Sequence, residues 1–347
     1  MALQIQCVAA TDDDDCQPQC LASIAIADRY SAAAWHLPLR SLAAAPRQET
    51  WLLDEPVTAG SVSTEQWQLQ HRHAGHLAMS WLQFDLAAHA DTAAATRWAY
   101  AEVLNHLATS NHKNLLKIWH YLPGINVGEG DRENYRQFCV GRAQALREHG
   151  ITSTMPAATA IGIPLDAGLL SADVARSAAD QQAGADQQAV FYWLSGTMSP
   201  DNVENPRQVS AWHYPPQYGP ASPMFSRASV LHLDAQRLLL ISGTASVTGH
   251  ATAYPGDCAA QTEEMLENLR SLVVTADMSY APEKMLLRVY LRHPADWPQV
   301  LASMQQAGFY AGQLVPLHGD ICRGDLLVEL DGVLQEDRAA GALEMTD

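Results

Sequence analysis

Positive charge is scarce in this chain: 21 Lys and Arg stand against 38 Asp and Glu in 347 residues, a net charge of −17. Nucleic-acid binding draws on clustered Lys and Arg, so no nucleic-acid partner is expected. A small anionic substrate stays open, because it needs only two or three arginines inside a pocket. No run of eighteen apolar residues occurs, and no membrane span is expected. Residues 1–20 lack a basic start and an apolar core and carry Asp12-Asp13-Asp14-Asp15 instead, so a secretion signal is not expected. Cys7, Cys16, Cys20, Cys139, Cys258 and Cys322 are too scattered for the framework of a small secreted domain. The expected compartment is the cytoplasm.

Phosphate-binding and metal-binding signatures are also missing. The glycine-rich run from Gly124 to Gly130 has neither the Lys-Ser/Thr of a phosphate loop nor dinucleotide spacing, and reads as a turn. His71, His73 and His76 alternate over a short stretch but have no acidic or cysteine partner nearby. Cys16 and Cys20 lack a second ligand pair. No metal and no cofactor are expected.

What remains is a globular composition, 48% apolar and 17% charged, in a chain long enough for two domains. The last third is the clearest. Arg237 to Gly243 reads as an apolar strand, Gln261 to Val274 as a helix with Met265, Leu266, Leu269, Leu272 and Val273 on one face, and Met285 to Leu291 as a strand. Pro294 opens a second helix, and Asp325 to Val333 reads as a last strand. The first half repeats this loosely. Trp81 to Leu86 reads as a strand and Thr92 to Leu107 as a helix with Trp98, Ala101 and Leu104 on one face. Lys117-Ile118-Trp119 stands where Arg288-Val289-Tyr290 stands later, and Asn105 matches Asn268. The expected class is α+β, two tandem domains with mixed sheets and helices on one face. Residues 1–205 form the first domain, 206–230 connect, and 231–347 form the second. Ser199 to Arg227 carries six of the eighteen prolines, as an ordered connector would.

The second half resembles the Rid/YjgF family in Ile241-Ser242-Gly243, Gln261 with Asn268, Val289-Tyr290-Leu291, and Leu327-Val328-Glu329-Leu330-Asp331. The family's ligand-binding arginine is absent: Ala158 or Thr159 stands there in the first half, and no arginine lies between Gly308 and Ile321. The whole chain resembles the chorismatases, which carry two Rid-like domains. The matching stretches are Trp119 to Asn126, Tyr135-Arg136-Gln137-Phe138 with Gly141-Arg142-Ala143, Tyr214 to Gly219 through Phe225 and Arg227, Ile241 to Ser246, and Cys322 to Asp325 leading to Glu329. That resemblance implies a chorismate substrate, release of pyruvate, and a monomer or a homotrimer.

Cleaving an enol ether requires protonation of its terminal methylene carbon. A carboxyl kept protonated near neutral pH suits that task, and apolar burial provides it. Glu329 has apolar sequence neighbours. By pattern alone it is equally a solvent-facing residue on a half-buried strand; the resemblance makes it the proton donor. The resemblance also makes Ala245 and Cys322 the product-determining pair, a combination like that of the branch forming 3-hydroxybenzoate with 4-hydroxybenzoate. Cys322 is otherwise a small packing residue. Arg142 and Arg227 are the candidates for the two substrate carboxylates, with Arg292 and Arg323 behind them. Tyr214 and Tyr218 either bind the substrate or stiffen a proline-rich loop. Two other readings stand beside this one: a Rid-type imine deaminase, and a non-catalytic metabolite-binding protein on the same scaffold.

Overall fold

A computed structural model describes residues 3–9, 19–26, 35–45, 47–152, 155–165 and 187–337. The acidic run at 12–15 and Cys16 lie outside them. Two seven-stranded mixed sheets dominate. The first runs, in spatial order, Asp320–Ile321, Ala157–Ile163, Asn114–Pro123, Gln188–Gly196, Leu77–Asp85, Trp67–Ala74, Thr58–Ser63. The second runs Asp201–Val203, Ala228–His232, Gln236–Ala245, Val328–Asp337, Met285–Leu291, Leu314–His318, Arg40–Ser41.

The two sheets share one plan. In each, a strand–helix–strand unit returns parallel: Asn114–Pro123 with Ala157–Ile163, and Met285–Leu291 with Leu314–His318. The closing strand of each half, Gln188–Gly196 or Val328–Asp337, then inserts antiparallel between the first strand of that unit and the strand that precedes the unit, Leu77–Asp85 or Gln236–Ala245. The helices Thr92–Thr109 and Asn134–Glu148 cover one face of the first sheet, over a core of Phe84, Tyr100, Val103, Phe138 and Phe191. Cys258–Thr275 and Trp297–Gln306 cover the second, over Met265, Leu269, Leu287, Val289 and Leu330. The other faces of the two sheets meet in a third core built around Trp81, Trp119, Tyr192, Leu240 and Tyr290. This is the expected α+β class. No helix of the described residues is long and apolar enough to cross a membrane.

Local signals account for the element ends. Asp91 and Asp257 cap the two long helices, accepting from the backbone N–H of Ala94 and Ala260 at 2.7 and 3.0 Å. The first of these helices buries Ala99, Tyr100, Val103 and Leu104: Leu104 lies on the core face as expected from spacing, whereas Trp98 and Ala101 lie to one side of it. Trp98 instead packs at the rim, against Phe84 and Trp67. The pairing of Asn105 with Asn268 fails: Asn105 is exposed, whereas Asn268 is buried and donates to the carbonyls of Ala245 and Val247, both at 3.0 Å. The last strand starts at Val328, not at Asp325, which frees residues 323–327 as a loop.

Residues 3–53 contribute a four-stranded sheet of their own, ordered Leu3–Ala9, Arg47–Leu53, Cys20–Ile26, Trp35–His36. It closes the inter-sheet core with Leu3, Ile5, Leu21 and Trp51. One buried cluster takes a residue from each of the three sheets. Arg288 donates to both carboxylate oxygens of Glu49, at 2.8 and 2.9 Å, and to the hydroxyl of Tyr192. Strand exchange ties the halves further: Arg40–Ser41 pairs with the second sheet, and Asp320–Ile321 with the first.

Candidate active site

Between the two sheets lies a cavity of about 440 Å³, within the usual range for small-molecule sites. Glu329, Cys322, Ala245, Arg142, Tyr214, Tyr218 and Arg227 all line it, and so does Arg323. Arg292 does not. Its guanidinium binds Asp320 at 2.8 Å and the carbonyls of Leu326, Ile321 and Arg323, so it clamps the loop behind the cavity.

Glu329 owes its position to strand alternation. Val328 and Leu330 enter the core under the helices, so Glu329 points the other way, into the space between the sheets. It sits on a central strand, with Ala245 as cross-strand partner on one side and Tyr290 on the other. Only 4% of it is exposed. Burial, then the nearby charge of Asp331, pushes its carboxyl up to about 8, against the opposing pull of Arg227 and Arg323. The group is therefore a carboxylic acid at neutral pH. Gly243 makes room for it: a Cβ at that position would fall onto the Glu329 carboxyl. Gly243→Ala is expected to lower turnover at least tenfold while leaving the unfolding midpoint within a few degrees. Equal activity in the two proteins would show that the carboxyl does not need that place.

The arginines approach from different elements. Arg142, 2% exposed on the Asn134–Glu148 helix, stacks on Phe138 at 4.8 Å. Behind it runs a directional chain. The Thr159 carbonyl can only accept, so the 2.7 Å contact places the proton of His120 on Nδ1, and Nε2 accepts from the Tyr100 hydroxyl at 2.8 Å. The Tyr100 oxygen then accepts from Arg142 at 3.5 Å. Burial holds His120 well below its ordinary range, and the charge of Arg142 acts in the same direction. Arg227 donates to the Val209 carbonyl at 2.8 Å and to the Tyr214 hydroxyl at 2.9 Å. Arg323 lies 4.0 Å from the centre of the Tyr218 ring and donates to the His250 carbonyl at 2.8 Å.

Among the described residues none of these three arginines forms a salt bridge, whereas Arg288 and Arg292 each pair with a carboxylate. The Nε groups of Arg142 and Arg227 are buried without a hydrogen-bond partner. Uncompensated guanidinium groups around a cavity are suited to an anion with more than one carboxylate. The Cys322 thiol is pushed up to about 12, first by burial and then by Glu329, so it is neutral and not a nucleophile. It packs with Ala245, Val247, Ile321 and Leu326.

Arg323, a secondary candidate by sequence, lines the cavity with Arg142 and Arg227. Sequence reasoning gave no role to Gly243, although a glycine inside an apolar strand signals close approach of another group. The histidines are brought together more fully than expected: His106 and His112 join His71 and His73, with ring centres 5.2 Å apart for His71–His106 and 5.4 Å for His73–His112. Among the described residues no group of three His, Cys, Asp or Glu side chains is arranged to hold a metal ion.

A buried carboxyl inside an arginine-lined cavity between two α/β layers is a site suited to an enzyme that acts on a small polyanion. The sequence identifies which. Residues 49–172 match the family described as chorismatase FkbO/Hyg5-like, N-terminal. A chorismatase of Streptomyces rapamycinicus is 36% identical over 255 residues, covering 70% of each chain. A 3-hydroxybenzoate synthase of Streptomyces hygroscopicus is 32% identical over 255 residues, covering 69% of each. The fold is similar to that of a chorismatase crystal structure, with a TM-score of 0.77 and 26% identity, over 96% of this chain and 98% of that one. This chain belongs to the chorismatase family.

Proposed function

We propose that this enzyme converts chorismate to pyruvate and hydroxybenzoate, with Glu329 as the proton donor. The observation that carries the reading is the buried Glu329 facing a cavity lined by Arg142, Arg227 and Arg323, none of which forms a salt bridge among the described residues. Arg142 on one wall, and Arg227 with Arg323 on the other, hold the two substrate carboxylates. Tyr214 and Tyr218, with ring centres 5.5 Å apart, pack beside the ring. Glu329 gives its proton to the terminal methylene carbon, and the enol ether becomes an oxocarbenium ion. The ring hydroxyl then displaces the side chain, which leaves as pyruvate. The epoxide-like ring opens and aromatises, and the hydroxyl proton restores the acid. Water attacking the cation instead gives pyruvate and a dihydroxycyclohexadiene acid.

The named 3-hydroxybenzoate synthase relative and the Ala245–Cys322 pair support formation of 3-hydroxybenzoate together with 4-hydroxybenzoate. Cys322 fills the wall beside Ala245 with a neutral, water-excluding thiol. Cys322→Ala opens that wall to water and is expected to shift products toward the diene acid; an unchanged product ratio would remove Cys322 from product control. One chain supplies both walls of the site, so a monomer suffices for catalysis, and a homotrimer would assemble outside the site. The cytoplasm is the proposed compartment, and no cofactor enters the mechanism.

Purified protein incubated with chorismate, with products separated by liquid chromatography and mass detection and pyruvate followed in parallel, tests the reading. Equimolar pyruvate and hydroxybenzoate are expected. Pyruvate no higher than in an enzyme-free control would end it.

A further inference from the structure

We propose that Asp331 is a positioning residue for this reaction: held by the Tyr290 hydroxyl and only loosely faced by Lys117, its carboxylate keeps the proton on Glu329 until the substrate takes it. This rests on the function proposed above. Asp331 lies two places along the strand from Glu329, so both side chains leave the same face, into the space between the sheets. It is fully buried. Its Oδ2 accepts from the Tyr290 hydroxyl at 3.2 Å and stands 4.0 Å from the ammonium of Lys117. Its Oδ1 is buried with no hydrogen-bond partner among the described residues.

That arrangement differs from a structural ion pair. Arg288 and Glu49, nearby in the same core, satisfy one another at 2.8 and 2.9 Å. The Lys117 ammonium instead donates to the carbonyls of Ile241 and Gly332 and leaves Asp331 at arm's length. An under-compensated buried carboxylate is costly to a fold. Its field is correspondingly free to act on the next ionisable group along the strand face, which is Glu329.

The groups around the pair set the direction. Asp331 is the acidic group acting on Glu329 from its own strand. Arg227 and Arg323 act on Glu329 from the cavity wall, which they share with the neutral Cys322. Around Asp331 stand Lys117, Tyr290 and Tyr121, with Arg288 and Glu49 beyond. Asp331 favours the proton on Glu329, and the two arginines oppose it. When substrate carboxylates occupy those arginines their pull is offset, so the field of Asp331 dominates when the acid is needed. Lys117 titrates in the same range, lowered to about 8 first by burial, so the alkaline limb belongs to a coupled set.

The test is the pH profile of kcat/KM for chorismate. Because Glu329 acts as an acid, wild-type activity is expected to be present below pH 8 and to fall as pH rises through it. Asp331→Asn keeps the volume and the Tyr290 hydrogen bond but removes the charge; the alkaline inflection is expected to move down by about one pH unit. Lys117→Gln, which leaves Asp331 less compensated, is expected to move it up, and it decides the matter if the Asn variant does not fold. An inflection that neither substitution moves overturns the role of Asp331. A wild type that releases no pyruvate from chorismate overturns the underlying function instead, so the two failures are distinguishable.

Discussion

Glu329→Gln is expected to lower kcat for chorismate by about 10³-fold or more, equivalent to ~4 kcal/mol in the barrier, while chorismate still binds. The amide keeps the shape of the carboxylic acid but cannot give up a proton to carbon. Binding survives because Arg142, Arg227 and Arg323 are untouched; calorimetric titration with chorismate would show this. The substitution has a second consequence in stability. A carboxyl raised to about 8 in the folded state is ionised in the unfolded chain from pH 4–5 upward. Between those values the folded protein holds a proton that the unfolded chain releases, so this group lowers stability progressively as pH rises toward 8. Gln has no such penalty. The variant is therefore expected to unfold at a higher temperature than wild type at pH 8, with the gap closing at pH 4. A variant that keeps more than a tenth of wild-type turnover would remove Glu329 as the donor.

The second large effect is expected outside the cavity. Glu49→Ala leaves Arg288 charged and buried, and is expected to cost about 3–5 kcal/mol in urea unfolding. Trp51 loses the acceptor for its indole N–H at the same time, a bond of 2.7 Å. Glu49 belongs to the sheet of residues 3–53, Tyr192 to the first large sheet and Arg288 to the second. Loss of one carboxylate should therefore loosen the closure of the whole inter-sheet core. Glu49→Leu combined with Arg288→Met is expected to be milder than either single change, because no orphan charge remains. A cost below about 1 kcal/mol for Glu49→Ala would show that the N-terminal sheet is an appendage.

Much of this was legible in the chain. The helix expected over Gln261 to Val274, which runs from Cys258 to Thr275, and the strand Met285–Leu291 follow from apolar spacing, because burial of one face imposes that period on any sequence. The first long helix shows the limit of the method. Tyr100 and Val103 face the core although Trp98 is the larger apolar side chain, since the rim offers Trp98 the rings of Phe84 and Trp67. Residues 3–53 drew no expectation from the sequence: one of their strands, Arg40–Ser41, has only two residues and pairs with a strand more than 270 positions away.

The site divides in the same way. Residue type and resemblance made Glu329, Cys322, Ala245, Arg142, Tyr214, Tyr218 and Arg227 the candidates, and all seven line the cavity. Which face Glu329 takes, and that its carboxyl stays protonated, depends on what surrounds it. Alternation along a strand is local, but which of its two faces meets another sheet is decided by packing. Besides burial, the charges that shift the acid are Asp331 on its own strand and Arg227 and Arg323 from elsewhere in the chain. Arg292 and Arg323 are only 31 residues apart and identical in type, yet one is spent on loop carbonyls and the other faces the cavity. Sequence determined the family, the fold class and the inventory of reactive groups; only the closure of two sheets on one another decided the charge state and the aim of each, because electrostatic environment is a property of space and not of order along the chain.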